Sequence, residues 1–156
     1  MKESRTQEKI VSFDTMVPLL LEVLEKNGSA EITATGNSMV PMLCDRKSRV
    51  RFAKAGQLKR GDLPLYRRSN GDYVMHRVLN VEGDTYTCCG DGQWHLERNV
   101  RADQILAVVS DFTWGDRWVS CDSGWYRVYW NCWVLIRPVR RLVFGGLKRM
   151  RRIFGR

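Results

Sequence analysis

Three residues of this chain carry the side chains that a serine-type hydrolytic reaction requires. Ser38 stands on a predicted tight bend after a strand-like run, His76 lies in an apolar run, and Asp91 lies in a glycine-flanked turn. A serine hydroxyl is a weak nucleophile until a neighbouring base takes its proton, and an imidazole can do so near neutral pH. An acid must then orient the imidazole and stabilise the charge that it gains. These residue types, in this order, predict a Ser/His/Asp site.

Other residues compete for two of these roles. Glu97, six residues after Asp91, could support the orienting acid or replace it. His95 is a rival base, but its neighbours predict a loop. Lys47 and Lys54 are further rivals; a lysine needs burial to lose its proton near neutral pH, and both occur among charged residues where we expect solvation. The favoured base is therefore His76.

The backbone around Ser38 is the predicted oxyanion and substrate-binding region. Gly36 and Ser38 stand where N–H groups can converge on an oxyanion, an interaction worth roughly 2.7–4 kcal/mol per donor. Asn37, Met39 and Pro41 complete this region. Taken singly, a serine beside Met and Pro is more often a turn residue, and a strand histidine is more often structural. Only their combination predicts catalysis.

Charge is distributed very unevenly along the 156 residues. Residues 137–156 contain eight basic side chains and no acid, whereas residues 1–136 hold 18 basic and 17 acidic side chains, a net charge of +1. A chain of this length is about one domain with a real core. The net positive charge therefore lies mainly in the C-terminal segment, and the globular body is nearly neutral.

The cysteines do not predict a disulfide framework or a zinc site. Their number is odd, and no two have the paired C-x-x-C spacing of a metal site. We read them as reduced and mostly structural. The predicted mechanism uses no cofactor and no metal ion.

Hydrophobic periodicity predicts a helix followed by a β-rich body. Apolar residues at helical spacing, with Asn27 and Gly28 as a stop signal, predict a helix over residues 14–27. Short β-branched and aromatic runs follow, joined by turn residues typical of antiparallel hairpins. The candidate strands are 30–35, 49–53, 63–67, 73–81, 84–89 and 104–112.

The last forty residues have a different composition. Five tryptophans fall between residues 114 and 133, and a helix is predicted from about Tyr126 onward. Between residues 137 and 156, apolar side chains recur at three- and four-residue steps while basic ones follow another face. We expect an amphipathic basic helix whose membrane or anion contacts are made by Arg137, Arg141, Lys148 and Arg152.

Four short motifs occur in one order: Gly-Asn-Ser-Met-Val-Pro at 36–41, Leu-Lys-Arg-Gly-Asp at 58–62, His-Arg-Val at 76–78 and Gly-Asp-Gly at 90–92. Over residues 14–111 this set resembles the signal-peptidase and repressor-cleavage superfamily of serine peptidases. Serine followed by Met-x-Pro is that family's nucleophile motif, so the resemblance gives Ser38 this role.

The base divides that superfamily into two types. Bacterial leader peptidases and self-cleaving repressors use a lysine, whereas the endoplasmic-reticulum and archaeal signal peptidases use a histidine in a His-Arg-Val-like strand. This chain resembles the histidine type, in which a Gly-Asp-Asn stretch precedes a second acid by six residues. Asp91 matches the first acid, and Glu97 stands where the second would be an aspartate.

The resemblance supports the reaction more strongly than the substrate. Signal peptidases are held by transmembrane segments, whereas the apolar runs at 16–24 and 125–136 are too short and too interrupted to span a bilayer. Small soluble bacterial members of the superfamily also occur. We therefore expect a cytoplasmic protein, attached peripherally to the inner face of the membrane through its basic terminus.

Nucleic-acid binding and a solvated tail are the competing interpretations of the basic terminus. Nucleic-acid binding would use the same charge, but phosphate contacts alone would not require the interleaved apolar face. A solvated tail whose apolar side packs on its own domain would need no partner. We therefore expect an anionic membrane surface as the partner, and not nucleic acid.

These observations predict a mainly β, antiparallel, signal-peptidase-like body with an N-terminal helix and a C-terminal amphipathic basic helix. Residues 1–112 form the predicted peptidase domain, and residues 113–156 form a Trp-rich basic extension. The predicted function is a serine endopeptidase that cleaves a leader, signal or precursor peptide through an acyl-enzyme. A catalytically inactive peptide-binding module of the same fold and a self-cleaving regulator remain as alternatives; the oligomeric state is left open.

Overall fold

The chain folds as a mainly β protein with antiparallel sheets and an N-terminal helix. A computed structural model describes residues 13–139, with side chains from residue 15. The elements are, in order, α1 (Phe13–Asn27), β1 (Ser29–Thr33), β2 (Arg49–Ala53), β3 (Pro64–Arg67), β4 (Tyr73–Met75), β5 (Arg77–Glu82), β6 (Thr85–Cys89), β7 (Glu97–Arg101), β8 (Ile105–Trp114), β9 (Arg117–Ser120) and α2 (Gly124–Leu135), with a single 3₁₀ turn at Ala102–Gln104.

Helix α1 confirms the predicted N-terminal helix. Its buried side chains Val17, Leu20 and Leu24 recur at three- and four-residue steps and pack into the main core. The chain leaves the helix at Gly28, whose φ of 74° is a left-handed conformation that glycine adopts without a Cβ clash. The sequence therefore specifies the end of this helix as well as its buried face.

The larger sheet has six strands. Five of them follow the order β1-β2-β8-β3-β4, and the sixth, β9, lies off this path and pairs with β8. All its pairings are antiparallel. Val50 and Phe52 of β2 are buried while their neighbours are not, which is the period-two alternation of a strand with one buried face. Strands β1 and β4 are the two ends of the path, so each has one edge without a strand partner in this sheet.

The smaller sheet contains β5, β6 and β7 and packs around a second apolar cluster. Its register pairs Arg77 with Cys89 and Cys88 with Glu97. Because the strands are antiparallel, the start of β5, the end of β6 and the start of β7 meet at one end of the sheet. His76 lies between β4 and β5, at the point where the chain passes from the larger sheet to the smaller one.

Helix α2 packs its inward face against the larger sheet. The Ser123 hydroxyl caps its N-terminus by accepting from the Tyr126 N–H at 3.2 Å. Tyr126 and Trp130 are buried in the same core cluster as α1 and β2. The helix predicted from about residue 126 begins slightly earlier, and the amphipathic basic pattern of residues 140–156 lies outside the described residues.

The strand predictions hold for most of the body and fail at particular places. Strand β2 has the predicted bounds, whereas the candidate strand 73–81 is two strands interrupted at His76. Strands β7 and β9 were not predicted, because they are short and largely exposed. Within residues 13–139, no helix has the length and apolar character needed to cross a lipid bilayer.

We predict that Gly61→Ala destabilises the protein far more than Gly28→Ala. Both glycines have positive φ, but a Cβ at Gly61 would lie 2.4 Å from the Trp130 ring, whereas nothing lies near a Cβ at Gly28. Positive φ alone costs about 1–2 kcal/mol, and overpacking adds about 1–3 kcal/mol. Chemical denaturation of the two variants measures the difference. Equal losses of unfolding free energy would contradict a close contact between α2 and the Gly61 turn.

Candidate active site

Ser38 lies in a loop that packs directly against the Gly90–Gly92 turn. The Ser38 carbonyl accepts from the Gly92 N–H at 2.8 Å. A Cβ at Gly90 would lie 2.5 Å from the same carbonyl oxygen, and one at Gly92 would lie 2.9 Å from the Asn37 carbonyl. This approach leaves room only for glycine, which explains why the acid at position 91 is flanked by glycines on both sides.

His76 is buried and its Nδ1 is held by a carboxylate. The residue is 2% exposed, and Nδ1 lies 2.8 Å from Oε1 of Glu97, at the start of β7. The Tyr66 hydroxyl is 3.3 Å from the same nitrogen, and the Tyr66 ring meets the imidazole edge-on. The ring is therefore fixed by a charged partner and by packing.

This contact determines which nitrogen of His76 can act as a base. An ionised carboxylate is an acceptor only, so the hydrogen of the neutral ring belongs on Nδ1, where it donates to Glu97. Nε2 is then left with its lone pair and can take a proton from a hydroxyl. A carboxylate on Nδ1 is the contact that an orienting acid makes in a Ser/His/acid site, and here Glu97 makes it.

Arg68 anchors Glu97 from the other side. Its Nε donates to Oε2 of Glu97 at 2.8 Å, and Nη2 donates to Oε1. Partial burial alone would raise the pKa of Glu97, but the hydrogen bonds from Arg68 and His76 outweigh it and hold that pKa well below its usual range. Glu97 therefore remains ionised beside the imidazole.

The structure places the Asp91 carboxylate on Arg77 and not on the Nδ1 that the sequence analysis assigned to it. Arg77 is fully buried; its Nε and Nη2 donate to Oδ1 and Oδ2 of Asp91 at 2.7 and 2.6 Å. Burial alone would lower the pKa of Arg77, but the hydrogen bonds with Asp91 reverse this effect. Both carboxylate oxygens of Asp91 are therefore used in a buried ion pair.

Helix α2 contributes to this ion pair. Arg77 Nη1 donates to the Tyr126 hydroxyl at 2.7 Å, and that hydroxyl donates to the Gly61 carbonyl at 2.8 Å. Trp133 Nε1 donates to the Asp91 carbonyl at 3.1 Å. The turn that supports the Ser38 loop is thus fastened both to β5 and to α2.

The predicted oxyanion region is only partly as expected. The Gly36 N–H donates to Oδ1 of Asp45 at 2.8 Å, so this donor is already used. Met39 is buried in the main core, whereas Asn37 and Pro41 are exposed. The predicted convergence of the Gly36 and Ser38 N–H groups on one oxyanion therefore loses one donor in this conformation.

A mainly apolar cavity of about 270 Å³ opens beside Ser38. This volume is slightly below the roughly 300–1,000 Å³ typical of ligand pockets. The wall is formed by β1, β2, β4 and the Ser38 loop, and it includes Ile32, Phe52, Tyr73 and Met75. Met75 immediately precedes His76, so the serine and the segment carrying the histidine border one cavity.

The rival bases lie in exposed positions. His95 is exposed in the loop between β6 and β7, as predicted. Lys47 is exposed, and Lys54 forms an exposed ion pair with Glu25 at 2.8 Å. Among residues 13–139, no three His, Cys, Asp or Glu side chains group as a metal site would require.

Of the four basic residues predicted to contact a membrane or anion, one is described. Arg137 is half-buried, and its Nη2 donates to the Trp94 carbonyl. Arg141, Lys148 and Arg152 lie outside the described residues.

Three residues around these acids have roles that the sequence patterns do not predict. Tyr66 and Arg68 position His76 and Glu97, and Tyr126 supports Arg77. The sequence contained one signal, because Arg77 stands in an apolar run and a buried arginine requires an acidic partner. Arg77 and His76 therefore compete for the same nearby acid.

We predict that Asp91→Asn lowers the free energy of unfolding by about 3–5 kcal/mol, because it leaves the Arg77 guanidinium buried without a counter-charge. Asp111→Asn is the matched control, since Asp111 meets Arg51 at 3.7 Å in a partly exposed pair. Such pairs contribute about 0–1 kcal/mol. Urea denaturation compares the two. Similar, small losses would show that Asp91 is not a structural anion.

We also predict that Glu97→Gln flattens the acid side of the stability profile. Because the folded-state pKa of Glu97 lies below its unfolded value, its ionisation stabilises the fold above the unfolded pKa, and this stabilisation is lost as pH falls. Wild-type stability should therefore decline between about pH 5 and pH 2, and less so in the variant. Glu22→Gln, which alters an exposed carboxylate, should keep the wild-type slope. Parallel profiles for all three proteins would contradict the buried Glu97 contacts.

Comparison with known proteins assigns no family to the chain. No protein-family model matches it, and a search of curated proteins finds no relative. The resemblance to the signal-peptidase superfamily therefore depends on the motifs themselves, and the chemistry depends on the geometry described above.

Proposed function

We propose that this chain is a serine endopeptidase in which Ser38 is the nucleophile and His76 the general base. The observation that supports this most directly is the Glu97 carboxylate on Nδ1 of the buried His76, because it leaves Nε2 as the nitrogen that can accept a proton. Met75, the residue before His76, lines the same cavity as Ser38. The function needs a hydroxyl, an imidazole and an orienting acid, and Ser38, His76 and Glu97 are the residues proposed to supply them.

In the proposed reaction, the Ser38 oxygen attacks the scissile carbonyl while its proton passes to Nε2 of His76. The tetrahedral intermediate collapses to an acyl-enzyme, and the departing amine takes the proton from the imidazolium. Water, deprotonated by the same nitrogen, then releases the acyl product and restores the serine. The Ser38 N–H is the proposed oxyanion donor. Glu97, and not Asp91, is the proposed orienting acid; Asp91 maintains the site through Arg77.

The proposed substrate is an extended leader or precursor peptide bound along a strand edge. Strands β1 and β4 are the two ends of the larger sheet, and both contribute to the wall of the Ser38 cavity. An edge strand can pair with an added strand through main-chain hydrogen bonds, while the pocket receives one of its alternate side chains. The apolar lining favours an apolar side chain there.

We also propose a signal-peptidase-like fold for the body of this chain. The four motifs meet around the candidate site: the Ser38 loop packs on the Gly90–Gly92 turn, and the Gly61 carbonyl accepts from Arg77 at 3.3 Å. This arrangement supports a signal-peptidase-like body of the histidine type. We also propose that the basic C-terminal segment forms an amphipathic helix that attaches the protein peripherally to an anionic membrane surface on the cytoplasmic side.

A non-catalytic peptide-binding module is the second candidate. The observation that favours it is the hydrogen bond between the Gly36 N–H and Asp45, which removes one expected oxyanion donor. Such a module would bind peptide in the same cavity without turnover. Covalent labelling of Ser38 distinguishes the two functions.

We predict that a fluorophosphonate probe labels Ser38 and that Ser38→Ala abolishes both labelling and cleavage of a diverse peptide mixture, with the melting temperature nearly unchanged. The probe requires an activated serine, so labelling reports the nucleophile without knowledge of the substrate. Mass spectrometry of labelled and cleaved peptides provides the measurement. Wild-type protein that binds peptides but never labels would support the binding module. Full cleavage by Ser38→Ala would reject the mechanism.

The supporting residues should differ in how they affect this activity. His76→Ala should abolish labelling, whereas His95→Ala should leave it intact because His95 lies in an exposed loop. Glu97→Gln should slow cleavage by about 10⁴-fold, as expected when an orienting acid is neutralised. Labelling rates of these folded variants test the assignment. An equal loss in His95→Ala and His76→Ala would contradict the choice of base.

A further inference from the structure

Helix α2 carries a second apolar face that points away from the core. We call this face the outward stripe; its members are all exposed and are Trp125, Val128 and Leu135 of α2, together with Ile136 and Val139, which follow the last residue of the helix. Trp125, Val128 and Leu135 are separated by three and seven residues, so they share one side of α2. Val128 is 65% exposed and Leu135 is 78% exposed. Attachment to the domain does not require these side chains, because Tyr126 and Trp130 already occupy the inward side.

A helix that is apolar on two sides fits between a protein core and a second apolar phase. The flanking aromatic residues are those found at lipid interfaces, where an indole ring lies at the headgroup level. Trp125 packs edge-on against the exposed Trp114 at 5.4 Å and stacks on Tyr129 at 5.7 Å. The outward stripe is thus continuous with an aromatic cluster that includes the exposed Trp114.

The charge that follows the outward stripe in the sequence favours an anionic partner. Arg127 is exposed on α2, and residues 137–156 contribute eight basic side chains and no acid. In the sequence, apolar residues continue beyond Val139 at three- and four-residue steps, at Val143, Leu147, Met150 and Phe154. Combined apolar and basic character over one continuous segment is typical of interfacial helices on anionic lipid.

The same charge disfavours a second copy of this chain as the occupant. Two copies joined through the outward stripe would bring two sets of eight positive charges together, and like charges oppose association. A nucleic acid would neutralise the charge but offers no apolar phase for Val128 and Leu135. An anionic bilayer satisfies both requirements.

We propose that the outward stripe of α2 inserts into the boundary between headgroups and acyl chains of an anionic lipid bilayer. This inference rests on the proposed membrane attachment and deepens it, because it assigns insertion to particular side chains; it does not depend on the peptidase chemistry. Since Trp133 and Tyr126 on α2 contact Asp91 and Arg77, insertion would also hold the Ser38 cavity at a fixed position relative to the membrane surface.

The experiment measures co-sedimentation of the full chain with vesicles of phosphatidylcholine containing phosphatidylglycerol, and with pure phosphatidylcholine vesicles, at low and high salt. The wild type should bind the anionic vesicles and keep residual binding at high salt, because apolar insertion is not screened. The variant Val128→Gln/Leu135→Gln should bind anionic vesicles at least about tenfold more weakly and lose the residual binding at high salt.

Leu19→Gln is the matched control. Leu19 is 61% exposed on α1, so the substitution removes a similarly exposed apolar side chain from another helix. It should bind vesicles as the wild type does. Glutamine keeps helix propensity, and thermal unfolding of both variants confirms that they fold.

Each other outcome overturns the inference in a distinguishable way. Unchanged vesicle binding by Val128→Gln/Leu135→Gln would leave membrane attachment in place but reject the outward stripe as its surface. No binding of the wild type to anionic vesicles would reject the attachment itself. Complete loss of wild-type binding at high salt would show that charge alone attaches the protein to the vesicles. A dimer seen by light scattering without lipid, and lost in the variant, would show that the outward stripe binds a second copy of the chain.

Discussion

The buried ion pair between Arg77 and Asp91 is the constraint on which the candidate site depends. A guanidinium removed from water must keep a counter-charge, and Arg77 obtains it through two hydrogen bonds to Asp91. Satisfying this requirement fixes the Gly90–Gly92 turn against β5. Because the Ser38 carbonyl bonds to the Gly92 N–H, the loop of the proposed nucleophile is positioned by an interaction that performs no chemistry itself.

Two adjacent basic residues use two different acids, and the change of sheet at this point explains how. His76 directly follows β4, and Arg77 is the first residue of β5 in the smaller sheet. Consecutive side chains of an extended chain point in opposite directions. Arg77 therefore reaches the turn after β6, while His76 reaches Glu97 at the start of β7. A site that required one acid for both residues would leave either an unpaired buried cation or an unoriented imidazole.

Local patterns predict much of this fold, and tertiary competition explains what they miss. Alternation in β2 and helical spacing in α1 depend only on which side chains are apolar, so their positions follow from the sequence. The choice between Asp91 and Glu97 depends on which acid Arg77 takes, and Arg77 is buried by contacts with distant segments, including Met42 and Tyr126 of α2. The Gly36 N–H likewise meets Asp45 through a loop whose path the sequence does not specify.

Helix α2 joins the two surfaces that the proposals describe. Its inward side donates from Trp133 to the Asp91 carbonyl and presents the Tyr126 hydroxyl to Arg77, while its other side is apolar and exposed. Displacing α2 would remove two hydrogen-bond partners from the buried ion pair, at a cost that rises as the surroundings become drier. The proposed peptidase chemistry and the proposed membrane contact therefore share α2, which contacts the Gly90–Gly92 turn on one side and carries the outward stripe on the other.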